Sequence, residues 1–348
     1  MKYLTNSKIF KNEEVLLPEY LPPLLPHREG EIKQLARNLL PAARGRKPQN
    51  VFIFGPPGIG KTACIKYVFR EFENYSGVKT VYINCWDYRT AMAVLAKITT
   101  ELGYPAQRHG WSKDEIISRL MEALTKTKKG LVICLDEVDQ LIFRDQSVLY
   151  DLLRINQYVK NPIGLVFISN DKYVFANIEP RIRSSLDIEE IEFRPYSLLE
   201  MKDILQKRVK QAFYQVEAGV VILVANHAIK KGGDVRVGLR CLLKAGRIAE
   251  EENCDKVKVE HVKSILRKVG KVKPEIIKEK INKDEKTILE ILKNSGRIYS
   301  GELYKIYCEK IEKPKTDRMF RSYLDHLEQL KMIKIRRKKG NRRIISLV

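Results

Sequence analysis

The stretch VFIFGPPGIGKT, Val51–Thr62, decides the fold. Its first four residues are apolar and rich in Val, Ile and Phe, and they read as a strand buried on both faces. The next eight, Gly55–Thr62, match G-x-x-x-x-G-K-[ST] in full and open a helical pattern at Lys61. Glycines let backbone N–H groups approach phosphate oxygens without a side-chain clash, and the helix N-terminus adds the positive end of its dipole. Gly55, Pro56, Pro57, Gly58, Ile59, Gly60, Lys61, Thr62 and Ala63 are therefore the expected cradle for the phosphates of ATP or ADP. Lys61 is expected on the β- and γ-phosphates, and the Thr62 hydroxyl on Mg²⁺.

A second motif lies downstream in LVICLDEVD, Leu131–Asp139. An apolar run ends in two carboxylates, Asp136 and Glu137, as expected for a second buried strand. Asp136 at the strand's C-terminal end suits Mg²⁺ coordination through water, and Glu137 suits a base that polarises an attacking water. Asp-Glu in this place, rather than Asp alone, favours hydrolysis over binding. A third motif, FISN, ends another strand at Asn170, whose side chain could hold the lytic water between the first two motifs; Asn at a strand end is otherwise a common turn residue.

Short apolar runs alternate with helical patterns around these motifs. Strands are expected at Val51–Phe54, Thr80–Asn84, Leu131–Asp136, Leu165–Ser169 and Ile188–Phe193, and helices at Lys61–Glu73, Thr90–Leu102, Lys113–Leu124 and Ser147–Val159. Ser112 and Glu115 have capping-box spacing. The alternation predicts an α/β domain, a parallel five-stranded sheet with helices on both faces, over residues 1–195. A proline-rich lead-in precedes a helix from Glu29 to Leu40 that is expected to stop at Pro41. Residues 196–272 read as an all-α domain with helices at Leu198–Gln211, Glu217–Lys230, Val235–Glu251 and Val259–Val269. Residues 273–348 read as helices 284–294, 301–312 (capped by Ser300) and 316–330 (capped by Thr316), then two strand-like runs around a Gly-Asn turn. Three helices and a basic hairpin predict a winged helix-turn-helix.

Charge separates this last module from the rest. The chain of 348 residues carries a formal charge of +22, and residues 271–348 hold 22 Lys+Arg against 11 Asp+Glu. Such a balance points to a polyanion, foremost nucleic acid. With 44% hydrophobic residues the chain has material for real cores, which excludes a mainly disordered protein. No apolar stretch is long enough to span a membrane, and MKYLTNSKIFKNEEV lacks the core of a signal peptide, so a cytoplasmic, nucleoid-associated protein without a membrane partner is expected. Cys64, Cys85, Cys134, Cys241, Cys254 and Cys308 show no C-x-x-C spacing and read as reduced thiols; the five histidines are scattered, with no visible metal cluster.

These motifs resemble those of the AAA+ ATPases and, more closely, of the archaeal origin-recognition initiators, relatives of the eukaryotic origin recognition complex and its helicase-loading partner. The resemblance covers nearly the whole chain. It rests on LPHREGEIKQLARNL (25–39), GPPGIGKTACIKYV (55–68), YINCWDYRTAMAVLAKITTELG (82–103), LDEVDQL (135–141), FISN (167–170), EPRIRSSL (179–186) and GGDVRVGLRCLLKAGRIAE (232–250). It implies an AAA+ base domain, a helical lid and a winged helix. It further implies that Asn170 reads the γ-phosphate, and that Arg236 in the lid reaches phosphates bound by the base domain; without it, Arg236 reads as a solvated helix charge. Leu25, Pro26, His27 and Arg28 match the region near the adenine, although His27 equally suits a cap or core role. Many AAA+ proteins end the element matching EPRIRSSL in Ser-Arg, the arginine acting on a neighbouring subunit. Ser185 stands at that place here, with Arg181 and Arg183 nearby, which suits slow hydrolysis and tightly held ADP.

For DNA, the helix at 316–330 would be the recognition element, offering Lys315, Thr316, Arg318 and Arg321, with Phe320, Tyr323, Leu324 and Leu327 facing inward. Its arginines could read guanine or hold phosphate. The hairpin carries Arg336, Arg337, Lys338, Lys339, Arg342 and Arg343, six cations in eight residues. The segment after Tyr82 matches the family's helical insertion, where Arg89 and Lys97 are either a second DNA contact or part of a plain exposed helix. The resulting expectation is an ATP-dependent replication initiator that binds double-stranded origin DNA, acts with other initiator subunits and helps recruit or load the replicative helicase, with slow hydrolysis as a switch. The alternatives are an AAA+ ATPase of the transposition-associated type and an origin-binding paralogue that represses or regulates transcription.

Overall fold

Five parallel strands form the sheet that carries the phosphate loop: β1 (Asn50–Phe54), β2 (Lys79–Asn84), β3 (Leu131–Asp136), β4 (Ile163–Ser169) and β5 (Ile188–Glu192). Their spatial order is β2-β3-β4-β1-β5. Every residue of β1, β3 and β4 is buried, which accounts for the apolar runs between their polar ends. The edge strands β2 and β5 are only partly buried. The computed structural model describes residues 7–106, 110–126, 130–160, 162–271, 282–311, 314–329, 332–338 and 342–347. The chain divides into two units, Met1–Lys263 and Ser264–Val348.

The helices of the first unit begin with α1 (Glu29–Ala43), α2 (Lys61–Ser76), α3 (Ala91–Glu101), α4 (Lys113–Lys126), α5 (Asp139–Arg144), α6 (Ser147–Ile155) and α7 (Pro180–Leu186). One face of the sheet forms a core with α3 to α7, where Phe52, Ile83, Leu135 and Phe167 meet Val94, Leu120 and Leu149. Strand alternation turns Val51 and Ile53 to the opposite face, where α1 touches four of the five strands.

Three expectations need correction. α1 does not stop at Pro41 but runs through it to Ala43. Proline keeps a helical φ and forfeits one hydrogen bond, and the burial of Leu39 and Ala42 on either side holds the last turn. α6 ends at Ile155, short of Val159, because the Asn156 side chain leaves the helix to bond both the N–H and the carbonyl of Ile163 at the start of β4. α3 is not a plain exposed helix: it starts after Thr90, whose hydroxyl caps Ala93 N–H, and seven of its eleven residues are buried.

Three helices follow in the lid, α8 (Leu198–Ala212), α9 (Val220–Lys230) and α10 (Val235–Glu251), and α11 (Val259–Lys271) begins in the first unit and contains the division at Lys263. Ser197 and Glu200 close a capping box ahead of α8. The start of the described chain packs on this lid rather than on the sheet. The Phe10 ring lies 5.0 Å from that of Phe213, and a Cβ on Gly246 would meet Phe10 Cζ at 2.3 Å. Lys11 N–H donates to Ala212 O, and Tyr214 N–H to Ile9 O.

The second unit contains α12 (Lys283–Ser295), α13 (Ser300–Lys310) and α14 (Asp317–Gln329) with the antiparallel strands β6 (Ile298–Tyr299), β7 (Ile333–Lys338) and β8 (Arg342–Leu347), ordered β6-β8-β7. Its core joins Ile288, Leu292, Leu303, Tyr307, Phe320, Leu324, Leu327 and Ile345. Ser300 is the first residue of α13 rather than its cap; Tyr299 precedes it with no side-chain cap. Thr316 Oγ1 accepts from Met319 N–H at 3.5 Å, as its expected capping role requires.

Candidate nucleotide site

The loop between β1 and α2 adopts backbone that only glycine takes without strain: φ is +147° at Gly55, +75° at Gly58 and +94° at Gly60. A Cβ on Gly55 would meet Phe193 O at 2.2 Å, and one on Gly58 would meet Asp234 Oδ1 at 1.9 Å. Lys61 folds back into the cradle. Its Nζ donates to Gly55 O (2.7 Å), Pro56 O (2.8 Å) and Asn170 Oδ1 (2.9 Å). Burial pushes the Lys61 ammonium down to about 8, against the upward pull of Asp136.

Asp136 is buried and receives three donors. Thr62 Oγ1 and Tyr82 Oη both reach Oδ2 at 2.7 Å, and the Glu137 N–H reaches Oδ1 at 2.9 Å. Glu137 follows with φ +54°, a conformation that turns its side chain off the strand direction. Burial, reinforced by the neighbouring carboxylates of Asp136 and Asp139, raises the Glu137 pKa. Its Oε2 is buried without a hydrogen-bond partner. An unpaired buried carboxylate oxygen beside a lysine, an amide and an aspartate suits a water held for attack.

β4 lies between β1 and β3, so Asn170 at its end stands between the phosphate loop and the two carboxylates. The lid closes over the same place. Val235 N–H donates to Gly58 O at 3.0 Å, docking the start of α10 on the cradle. Arg236 is exposed on the first turn of α10, next to the residues docked on Gly58. Asp234 holds its guanidinium from Nε to Oδ1 (3.1 Å) and from Nη2 to Oδ2 (3.0 Å).

Leu25, Pro26 and His27 are half-buried. His27 Nε2 lies 2.8 Å from Asp203 Oδ2 of α8, joining the lead-in to the lid. Arg28 is buried and committed to structure. Its guanidinium donates to Tyr196 Oη (2.9 Å), Glu31 Oε1 (2.6 Å), Ile59 O (3.1 Å) and Arg194 O (2.8 Å), and lies 3.9 Å over the Tyr196 ring. Through Ile59 O it braces the phosphate loop. Near the element EPRIRSSL, Arg183 is bound to carbonyls of Phe175, Ala176 and Ile178, whereas Arg181 is exposed and paired with Glu179 at 2.6 Å.

These residues fit a nucleotide with a divalent cation: a glycine cradle, a lysine satisfied by carbonyls, a Thr–Asp oxygen pair and a buried carboxylate with an open acceptor. The cluster Glu252–Cys254–His261, which the sequence did not reveal, does not fit a metal. His261 Nδ1 accepts from Lys258 N–H at 3.0 Å, so the proton of the neutral ring sits on Nε2, facing Glu252 Oε2 at 3.2 Å and leaving no ring lone pair for an ion.

Residues 24–168 match the AAA ATPase domain family, and residues 202–265 the Cdc6 AAA+ ATPase-type lid domain. The ORC1-type DNA replication protein of Thermococcus kodakarensis is 36% identical over 95% of this chain and 85% of its own length. The chain belongs to the ORC1-type DNA replication protein family. It is accordingly an AAA+ ATPase. ORC1-type DNA replication protein 1 of Archaeoglobus fulgidus is 37% identical over 94% of this chain and 84% of its own. The structure of the Aeropyrum pernix ORC1 protein in complex with DNA is 33% identical and superposes with a TM-score of 0.79, covering 99% of this chain and 94% of that one.

In this ORC1-type chain the expected DNA residues Lys315 and Thr316, just before α14, and Arg318 and Arg321 on it are exposed, Arg321 being paired with Asp317 at 2.5 Å. Arg336, Arg337, Lys338 and Arg342 lie on β7 and β8, with Arg337 opposite Arg343 and Lys338 opposite Arg342. Arg343 is half-buried, 4.0 Å from Asp325. Lys339 and the Gly-Asn turn lie outside the described residues. Arg89 and Lys97 are engaged locally, Arg89 with Trp86 O at 2.6 Å and Lys97 with Glu101 at 2.5 Å. Sequence reasoning missed Tyr82, Asp234, Tyr196 and Phe193. Only Asp234 carried a local signal, as an Asp at a helix N-cap.

Proposed function

We propose that this chain initiates DNA replication by binding double-stranded origin DNA through its C-terminal unit, read as a winged helix, with ATP as a conformational switch. The observation that carries the reading is the joining, on one chain, of a phosphate loop and its Asp136–Glu137 pair with a separate unit in which exposed Lys315, just before α14, and exposed Arg318 and Arg321 on α14 accompany a basic hairpin. The relative from Aeropyrum pernix, described in complex with DNA, supports it. α14 would enter the major groove, and the β7–β8 hairpin would follow the backbone as the wing.

At the nucleotide site, Gly58, Gly60 and Lys61 would bind phosphates through backbone N–H groups and the ammonium. Thr62 and Asp136 would hold Mg²⁺, which supplies charge neutralisation of the phosphates. Glu137 would polarise the attacking water, Asn170 would orient it, and Arg236 would report the γ-phosphate to the lid. Arg181, exposed, paired with Glu179 and lying over the Tyr150 ring, suits a contact with a neighbouring subunit better than Arg183, which is tied to three backbone carbonyls. Hydrolysis would be slow, a switch between states in which the initiator recruits or loads the helicase.

Footprinting of the intact chain on its host's chromosomal DNA, with ATP and with ADP, tests the reading. Discrete protected sites that disappear in Arg318→Ala/Arg321→Ala support it, and nucleotide-dependent protection adds the switch. Uniform protection without preferred sites would move the assignment to the transposition-associated class.

A further inference from the structure

Tyr82 lies on β2, directly opposite Cys134 of β3 in the parallel register. Asp136 is two residues further along β3 and therefore on the same face as Cys134. A tyrosine can span that diagonal, and here the phenol reaches Asp136 Oδ2 at 2.7 Å. Its ring is held in turn: Lys66 Nζ, one turn after Thr62 on α2, lies 4.6 Å from the ring centroid. The same Oδ2 accepts from Thr62 Oγ1 at 2.7 Å, while Oδ1 accepts from the Glu137 N–H. Three donors thus fix the rotation of one carboxylate, and the phenol is the only one supplied from another strand.

We infer that Tyr82 is a positioning residue for the divalent cation: its hydroxyl locks the Asp136 carboxylate so that Oδ2 faces Thr62 Oγ1, the pair that would share the ion and its waters. The inference rests on the reading of Thr62 and Asp136 as the Mg²⁺ pair. A partner that orients a ligand's carboxylate typically changes metal affinity about tenfold or more when removed. Tyr82→Phe deletes the hydroxyl and keeps the ring between β2 and Lys66, so packing is retained.

The test is a Mg²⁺ titration of the full chain with a fluorescent ATP analogue, alongside binding in EDTA and thermal unfolding. Tyr82→Phe is expected to raise the Mg²⁺ midpoint about tenfold while leaving EDTA binding and Tm unchanged. In an Asp136→Asn background the same change is expected to have little further effect, because the anionic ligand that the phenol orients is gone. An unchanged Mg²⁺ midpoint in Tyr82→Phe overturns the inference, as does a parallel loss of EDTA binding and Tm, which marks a packing role. Failure of the underlying reading looks different: nucleotide binding by the wild-type chain would then be indifferent to both Mg²⁺ and Asp136→Asn.

Discussion

Asp234 and Arg236 form a two-point ion pair at the mouth of the phosphate loop, with the Asp234 carboxylate packed against Gly58 and also capping α10 through the Arg236 N–H at 2.8 Å. A lid residue thus holds the guanidinium beside the phosphate loop, where the proposed γ-phosphate contact places it. Because the Arg236 side chain is half-exposed, its loss costs the fold little. Arg236→Ala is expected to weaken ATP about tenfold, the size of one charge-assisted hydrogen bond, and ADP much less. Fluorescence titration of both nucleotides, with thermal unfolding as control, checks this.

Glu137→Gln keeps the side-chain volume and removes the base. Single-turnover phosphate release is expected to fall by at least about a hundredfold, while ATP affinity stays near wild type. Equal losses in binding and hydrolysis would remove Glu137 from the role of base.

Lys61 makes binding depend on pH. Burial holds its pKa at about 8 in the nucleotide-free chain, and phosphate oxygens favour the charged form, so the bound pKa lies higher. Between those two values the free chain has lost a proton that the complex retains. Binding at about pH 9 is therefore expected to take up close to one proton, and affinity to decline as pH rises past 8. Calorimetry in buffers of different ionisation enthalpy measures the uptake directly.

Arg28 is a structural prediction. Arg28→Ala strands the buried acceptors at Ile59, Arg194 and Tyr196 and is expected to destabilise the chain by at least about 2 kcal/mol, read as a lowered Tm. Arg28→Lys is expected to recover only part of this, since an ammonium cannot reproduce the planar fork.

The phosphate loop, the Asp136–Glu137 pair and the strand–helix alternation were legible because each is local: consecutive residues set the backbone that phosphates need, and continuous apolar runs report burial on both faces. The inward stripe of α14 was legible for the same reason, as Phe320, Leu324 and Leu327 recur at helical spacing and are buried. Pro41 and Asn156 misled because their effects depended on neighbours: the buried flank of α1 in one case, the start of β4 in the other.

Residue order alone thus determined the phosphate-loop motif, its carboxylate pair and the concentration of positive charge toward the C-terminus. Strand order was left to the tertiary structure. Nothing local states that β4 inserts between β1 and β3, yet that insertion is what sets Asn170 2.9 Å from Lys61. Register decided that Tyr82 of β2 reaches Asp136 on the neighbouring strand β3. Docking of α10 on Gly58 decided that the Asp234–Arg236 pair stands at the phosphate loop, and packing against the loop decided that Arg28 bonds Ile59 O. Those relationships depend on distance between segments remote along the chain, and such distances exist only once the hydrophobic cores have closed.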